Sequence, residues 1–209
     1  MSRGDDNVKG MRLALFGGSF DPPHRGHIAV AHAAAEIFGL ASVLFTPTAL
    51  QPLKPTGASA TYTDRIAMVS LVCASEPRFS VSELDAPRAD GKPNYTVDTL
   101  EALRSMVPDA RIFAIAGADS FLELPRWHGS ERLLHLAEWI VVSRPGFELE
   151  ELPSFYTATC STARVHLLET VQETVSATQL RARLARGEDC SDSVPGNVLS
   201  YIRAHHLYR

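Results

Sequence analysis

Cysteine is scarce and scattered in this chain. Cys73, Cys160 and Cys190 are odd in number and far apart. That spacing argues against a disulfide framework and predicts reduced thiols in a cytoplasmic protein. Long apolar runs are missing too. No segment approaches the ~20 residues of a membrane span, and the longest candidate is broken by His32, Glu36 and Gly39. Nor is there an excess of charge of one sign. A formal net charge of −4 over 209 residues leaves no broad basic surface, so no nucleic-acid partner is expected. A phosphorylated ligand must be caught by a few locally placed groups. The opening MSRGDDNVKG lacks the apolar core of a signal peptide. Residues 1–10 are expected to be a disordered extension, and 11–209 a single domain. Nothing in the sequence opposes a homo-oligomer.

What is present is alternation. Strand-length apolar runs at Arg12–Phe16, Ser42–Thr46, Phe79–Leu84, Arg111–Ala116, Trp139–Ser143 and Val165–Leu168 alternate with helical patterns such as Ile28–Phe38, Asp64–Ala74 and Val97–Met106. Ile112-Phe113-Ala114-Ile115 and Ile140-Val141-Val142 are apolar on both faces, as parallel strands covered on both sides should be. The pattern predicts an α/β fold: a Rossmann-like, doubly wound parallel sheet with helices on both faces and a helical C-terminal region. Ligands in such sheets lie beyond the carboxyl ends of the strands, where strand order reverses. Two long loops, Pro47–Thr61 with Lys54 as its only charge and the polar Asp85–Asn94, are expected to cover substrate. Pro195 is expected at the first position of a last helix. The stripe Val198, Tyr201, Ile202 and His205 on that helix reads as core packing.

The most informative string is Gly17-Gly18-Ser19-Phe20-Asp21-Pro22-Pro23-His24-Arg25-Gly26-His27, between the first strand and an alanine-rich helix. A helix start leaves its first amides without partners and carries the positive end of the dipole, so it accepts anions. Gly17 and Gly18 admit a phosphate close to the backbone. His24 and His27, three residues apart, are expected on one solvent-accessible helix face. The string lacks the lysine of a G-x-x-x-x-G-K-[ST] loop and the third glycine of G-x-G-x-x-G. Zinc would need at least a third ligand, and the chain contains neither H-E-x-x-H nor C-x-x-C.

Three further strings carry chemistry. Val175-Ser176-Ala177-Thr178-Gln179-Leu180-Arg181 has capping-box spacing and is a second anion device, with two hydroxyls and a guanidinium at a helix start. In Phe113–Ser120, Gly117 permits close ligand approach and Asp119 can accept from ribose hydroxyls. Trp127, in Leu124-Pro125-Arg126-Trp127-His128, offers a flat face to a ring. In Asn94-Tyr95-Thr96-Val97-Asp98-Thr99-Leu100, Thr96 is a natural helix cap.

His24-Arg25-Gly26-His27 resembles the H-x-G-H signature of a nucleotidyltransferase superfamily. VSATQLR resembles its late I-S-S-T-x-[IL]-R element, with Val175 and Ala177 departing from it. From Met11 onward the chain resembles bacterial nicotinate-nucleotide adenylyltransferases, through GGSFDPPHRGH, the Lys54 loop, NYTVDTL, FAIAGADSFLELPRWH, VVSRPG, VSATQLR and VPGNVLSYIRAHHLY. The resemblance implies that ATP and nicotinate mononucleotide react to give deamido-NAD and pyrophosphate. His24, His27 and Arg181 would be catalytic, and Mg²⁺ would be carried by the ATP phosphates rather than by the protein. ATP contacts would fall to Gly17, Gly18, Ser19, Phe20, Gly117, Asp119, Ser176 and Thr178. Mononucleotide contacts would fall to Lys54, Asn94, Tyr95, Thr96, Trp127 and His128. Apart from Arg126, no Arg or Lys lies in the strings assigned to the ring, so backbone amides near Thr96 and His128 are expected to read its carboxylate. Adenylyltransferases of phosphopantetheine or nicotinamide mononucleotide, a cytidylyltransferase, and a nucleotide-sensing protein without turnover stay open at this point.

Overall fold

The computed structural model describes residues 10–50, 57–143, 165–169 and 176–209. Residues 1–9, Lys54, Cys160 and Val175 lie outside the described residues, and with them the expectations placed there. Strands β1 (Arg12–Gly18), β2 (Ser42–Pro47), β3 (Phe79–Val81), β4 (Arg111–Gly117), β5 (Glu138–Val142) and β6 (Val165–Leu168) form one parallel sheet in the order β3-β2-β1-β4-β5-β6. The helices are α1 (Arg25–Phe38), α2 (Tyr62–Cys73), α3 (Thr96–Met106), α4 (Ala118–Leu122), α5 (Ser130–Leu136), α6 (Ala177–Ala185) and α7 (Gly196–Ala204). The chain winds outward from β1 to β3, then returns to place β4 on the other side of β1. That reversal sets the carboxyl ends of β1 and β4 side by side, the position at which doubly wound sheets form their ligand crevice.

Both faces of the sheet are apolar, as the strand sequences require. Ala14, Phe16, Phe45, Phe113, Ile115 and Ile140 pack with Val30, Ala31 and Ala34 of α1. Leu15, Ile112, Ala114, Trp139 and Val141 pack on the opposite face with Leu100 of α3 and Leu133 of α5. Small alanines let α1 lie close to the sheet, and Gly39, left-handed at φ 59°, ends it. A third cluster joins Met68 and Val72 of α2 to Leu180 of α6 and to Val198, Leu199 and Ile202 of α7. Of the predicted stripe on α7, Val198 and Ile202 are core, while His205 is exposed and stacks on Tyr201 at 4.0 Å.

Local details depart from the sequence reading. β3 stops at Val81 rather than Leu84, because the chain turns back on itself. Leu84 N–H donates to Ser82 Oγ at 3.3 Å and Ala86 N–H to the Glu83 carbonyl at 2.9 Å. Pro195 caps α7 from outside instead of occupying its first turn. At the amino edge of the sheet, Arg111 of β4 grips Glu138 of β5 with two bonds of 2.5 and 2.7 Å. His166 of β6 reaches the same carboxylate at 2.9 Å.

Candidate active site

β1 runs into the crevice and ends in two glycines with different duties. A Cβ on Gly17 would meet nothing within 4 Å, whereas one on Gly18 would come to 3.1 Å from the Phe20 ring. Phe20 is fully buried and left-handed, at φ 47°. Its ring meets Phe16 at 5.5 Å, Phe45 at 5.5 Å and the His27 imidazole at 4.9 Å. The buried Phe20 side chain is therefore a support for the His27 ring rather than a face offered to a ligand. Gly17 leaves open room above the strand end.

The two histidines do not stand side by side on an exposed helix face. His24 is the N-cap of α1 and only 7% exposed, so the expectation that both imidazoles face open solvent fails for it. Its ring stacks on His27 with centroids 3.7 Å apart. The His24 backbone N–H donates to His27 Nδ1 at 3.2 Å. An accepting Nδ1 leaves the proton of a neutral imidazole on Nε2, so His27 presents a donor at Nε2. Burial pushes the His24 imidazole down to about 4. Burial, and then the neighbouring His24, hold His27 well below its usual range. Both rings are neutral near pH 7 before an anion arrives. His24 Nδ1 is buried with no hydrogen-bond partner.

Arg181 joins the late string to the early one. Its Nη1 donates to the Asp21 carbonyl at 2.8 Å, across 160 residues of sequence, and its Nη2 donates to Thr178 Oγ1 at 3.3 Å. Ser176 is the N-cap of α6, but no side-chain capping bond forms. The expected capping box is absent, and the hydroxyl is not used to close the helix. Thr178 is exposed and Ser176 half-buried.

Across the crevice, exposed Gly117 caps α4 and Asp119 stands exposed in its first turn. A Cβ on Gly117 would again meet nothing within 4 Å. Trp127 follows a short 3₁₀ turn and is half-buried, its ring set edge-on to the core Trp139 with centroids 6.2 Å apart. The predicted cap of α3 moves by one residue: Tyr95 is the N-cap and Thr96 the first helical position. The Tyr95 ring lies 4.3 Å from that of exposed His128, which brings the start of α3 and the Trp127-His128 turn together. Asn94 uses its amide within its own loop, donating to the Ala86 carbonyl at 2.6 Å. The two long loops touch, with Ala49 N–H donating to the Asp85 carbonyl at 3.2 Å. Burial pushes the Asp85 carboxyl up to about 6, against bonds from Asn94 and Thr48 that lower it.

Sequence reasoning missed Asp21, Arg65 and Tyr208. Asp21 is buried, and its carboxylate accepts from Ser59 N–H at 2.6 Å, Ala60 N–H at 3.0 Å and the Tyr208 hydroxyl at 2.7 Å. Arg65 is 1% exposed and donates from Nη1 to the carbonyls of Ser19 and Thr48, each at 2.8 Å. Signals existed for two of them. A carboxylate inside a phosphate-binding string needs internal donors to be tolerable, and Arg65 sits at helical spacing from the apolar Met68, Val69 and Val72, where a charge must have carbonyl partners.

A family model described as cytidylyltransferase-like matches residues 15–183. A protein of Herpetosiphon aurantiacus named probable nicotinate-nucleotide adenylyltransferase is 38% identical over 200 residues, covering 94% of this chain and 98% of the relative. Proteins of the same name from Streptomyces coelicolor and Thermus thermophilus are each 40% identical, over 92% and 95% of this chain and 98% and 100% of their own length. Among solved structures, Plasmodium falciparum nicotinic acid mononucleotide adenylyltransferase complexed with NaAD superposes with a TM-score of 0.76 at 16% identity, covering 95% of this chain and 97% of that one. That likeness speaks to the fold. The family model and the extent and identity of the sequence matches place this chain in the cytidylyltransferase-like family and, within it, among the nicotinate-nucleotide adenylyltransferases.

Proposed function

We infer that this chain transfers the adenylyl group of ATP to nicotinate mononucleotide, releasing pyrophosphate and forming deamido-NAD, with His24, His27 and Arg181 at the reacting phosphates. The observation that carries the assignment is the bond from Arg181 to the Asp21 carbonyl. It seats the late guanidinium on the loop that ends in the two histidines, so both anion devices serve one crevice. The acceptor phosphate is already an anion and attacks the α-phosphorus in line as the pyrophosphate oxygen departs. No side-chain nucleophile is required, and catalysis rests on positioning and on donors aimed at developing charge. His27 supplies Nε2–H. Buried, neutral His24 becomes easier to protonate once a triphosphate lies beside it, since an adjacent anion raises an imidazole pKa. Arg181, Ser176 and Thr178 take the outer phosphates.

Gly17 and Gly117 leave the backbone bare where the nucleotide passes, and Asp119 meets a ribose. On the other side, the first-turn amides of α3 at Thr96 and the chain at His128 face the acceptor ring beside Trp127. Mg²⁺ would be held by the ATP oxygens, where it would shield phosphate charge. Among the described residues no helix is long and apolar enough to cross a membrane, and Cys73 and Cys190 are buried free thiols. Both facts suit a cytoplasmic enzyme with residues 11–209 acting as one nucleotidyltransferase domain.

Pyrophosphate release with a panel of nucleotides tests the reading. ATP with nicotinate mononucleotide should be the fastest pair. Preference for CTP, or for phosphopantetheine as acceptor, overturns it, and binding of ATP with no turnover on any acceptor marks a sensor instead.

A further inference from the structure

We propose that Tyr208 is a positioning residue for ATP, acting through Asp21 on Arg181; the inference rests on the assignment of ATP to the Arg181–His24 crevice. After α7 the backbone enters the left-handed region twice, at His206 (φ 55°) and Tyr208 (φ 61°). Bulky residues rarely adopt that region, and where they are held in it the surrounding structure must compensate. At His206 the left-handed turn closes the helix, with Leu207 N–H donating to the Ile202 carbonyl at 3.0 Å; at Tyr208 the compensation is a directed side-chain contact. The Tyr208 hydroxyl donates to Asp21 Oδ1 at 2.7 Å, across 187 residues of sequence, while Leu207 and Tyr208 lean on the α2–α6–α7 cluster. Burial, and then the Asp21 carboxylate, push the Tyr208 hydroxyl far above its usual range, so it remains a donor at any working pH.

Asp21 explains why such a donor is needed. A buried carboxylate two residues before the proline that precedes His24 would repel the phosphates this loop is built to receive. Worse, it lies 3.8 Å from Arg181 Nη1, close enough to capture that guanidinium. Ser59 N–H, Ala60 N–H and the Tyr208 hydroxyl occupy its oxygens, and Arg181 is left to bond the Asp21 carbonyl instead. Arg65 pins the same loop from the other side through the Ser19 carbonyl. Without the Tyr208 hydroxyl, Oδ1 keeps only Ala60 N–H, the carboxylate charge is less neutralised, and its other oxygen, Oδ2, already 3.8 Å from Arg181 Nη1, draws that guanidinium harder. The guanidinium then tightens onto Asp21 and away from ATP.

Tyr208→Phe in the full chain tests this. The variant keeps the ring and loses the donor. The KM for ATP, and the Kd of a non-hydrolysable ATP analogue measured by calorimetry, should rise about five- to tenfold, a fraction of what one charge-assisted hydrogen bond contributes. The KM for the mononucleotide should stay within about twofold, a shift below the worth of one neutral hydrogen bond. Adding Tyr208→Phe to Arg181→Ala should change ATP binding no further, because the route runs through Arg181. Unchanged analogue affinity in Tyr208→Phe overturns the proposal, as does an additive double variant. So does a uniform loss for both substrates with a lowered Tm, which would mark a structural tyrosine. A wild-type measurement guards against misfolding. By linkage, ATP must strengthen the contact that strengthens ATP binding, so the analogue should slow amide exchange at residues 205–208. No slowing overturns the proposal. Failure of wild-type turnover on nicotinate mononucleotide would strike the acceptor assignment alone, since analogue binding does not involve the acceptor.

Discussion

At the scale of single residues, the stacked histidines make a pH signature. An imidazole whose folded pKa lies below its unfolded value near 6.5 leaves the unfolded chain holding more protons in between. Its contribution to stability is therefore complete above about pH 6.5 and is lost as the pH falls toward 4, the value to which burial pushes His24. Asp85, pushed up to about 6, works the other way. Its folded form takes up protons first, and it adds stability as the pH falls through that value. The ligand-free Tm should accordingly fall from pH 6.5 to 4 less steeply in His24→Gln than in the wild type. Parallel curves would show that His24 is not the group that titrates. For His27, whose Nδ1 accepts from the His24 backbone at the start of α1 and whose Nε2 is left to donate, alanine should lower turnover by about 10²–10³. Near-normal turnover in a folded variant would remove His27 from the reaction. Arg181→Lys has a different expected outcome. One ammonium cannot bond the Asp21 carbonyl and Thr178 Oγ1 in the same planar geometry, so the KM for ATP should rise about tenfold or more while the Tm hardly moves. A large fall in Tm with unchanged ATP kinetics would make Arg181 structural.

At the scale of elements, the glycine turn after β1 separates fit from function. Gly18→Ala drives a methyl to 3.1 Å from a fully buried Phe20 ring. It should destabilise by about 1–3 kcal/mol, as overpacking does, which denaturant unfolding would read. Gly17→Ala adds a methyl to open space, so stability should hold while nucleotide use falls. Equal effects from the two would mean that the turn has no ligand face. Much of this element was legible, because a strand, a glycine turn and a helix leave contiguous signals. The caps were read less well. Thr96 and Ser176 have the right chemistry for caps, yet Tyr95 holds the first place and Ser176 makes no side-chain capping bond. The path of the incoming chain decides such details, and propensity does not encode it. The Asp21 network was illegible for a plainer reason. Its partners lie 38, 39, 160 and 187 residues away, and no local periodicity relates them.

At the scale of the whole molecule, the acceptor side should discriminate. Amides at Thr96 and His128 that face a ring carboxylate would face an NH₂ group if the amide substrate bound. Unpaired donors cost ~1–3 kcal/mol each, so kcat/KM should favour nicotinate over nicotinamide mononucleotide by roughly tenfold or more. Equal constants would move the chain's specificity to the amide enzyme. Two features of the sheet lie a strand length apart. Its amino edge is tied by Arg111, Glu138 and His166, while the groups assigned to substrate among the described residues lie at or beyond the carboxyl edge. The consequence is evolutionary latitude. Loops at one rim can be rewritten for a new acceptor while the ionic clasp at the other rim keeps the strands in register, so drift in specificity need not pass through a loss of foldability.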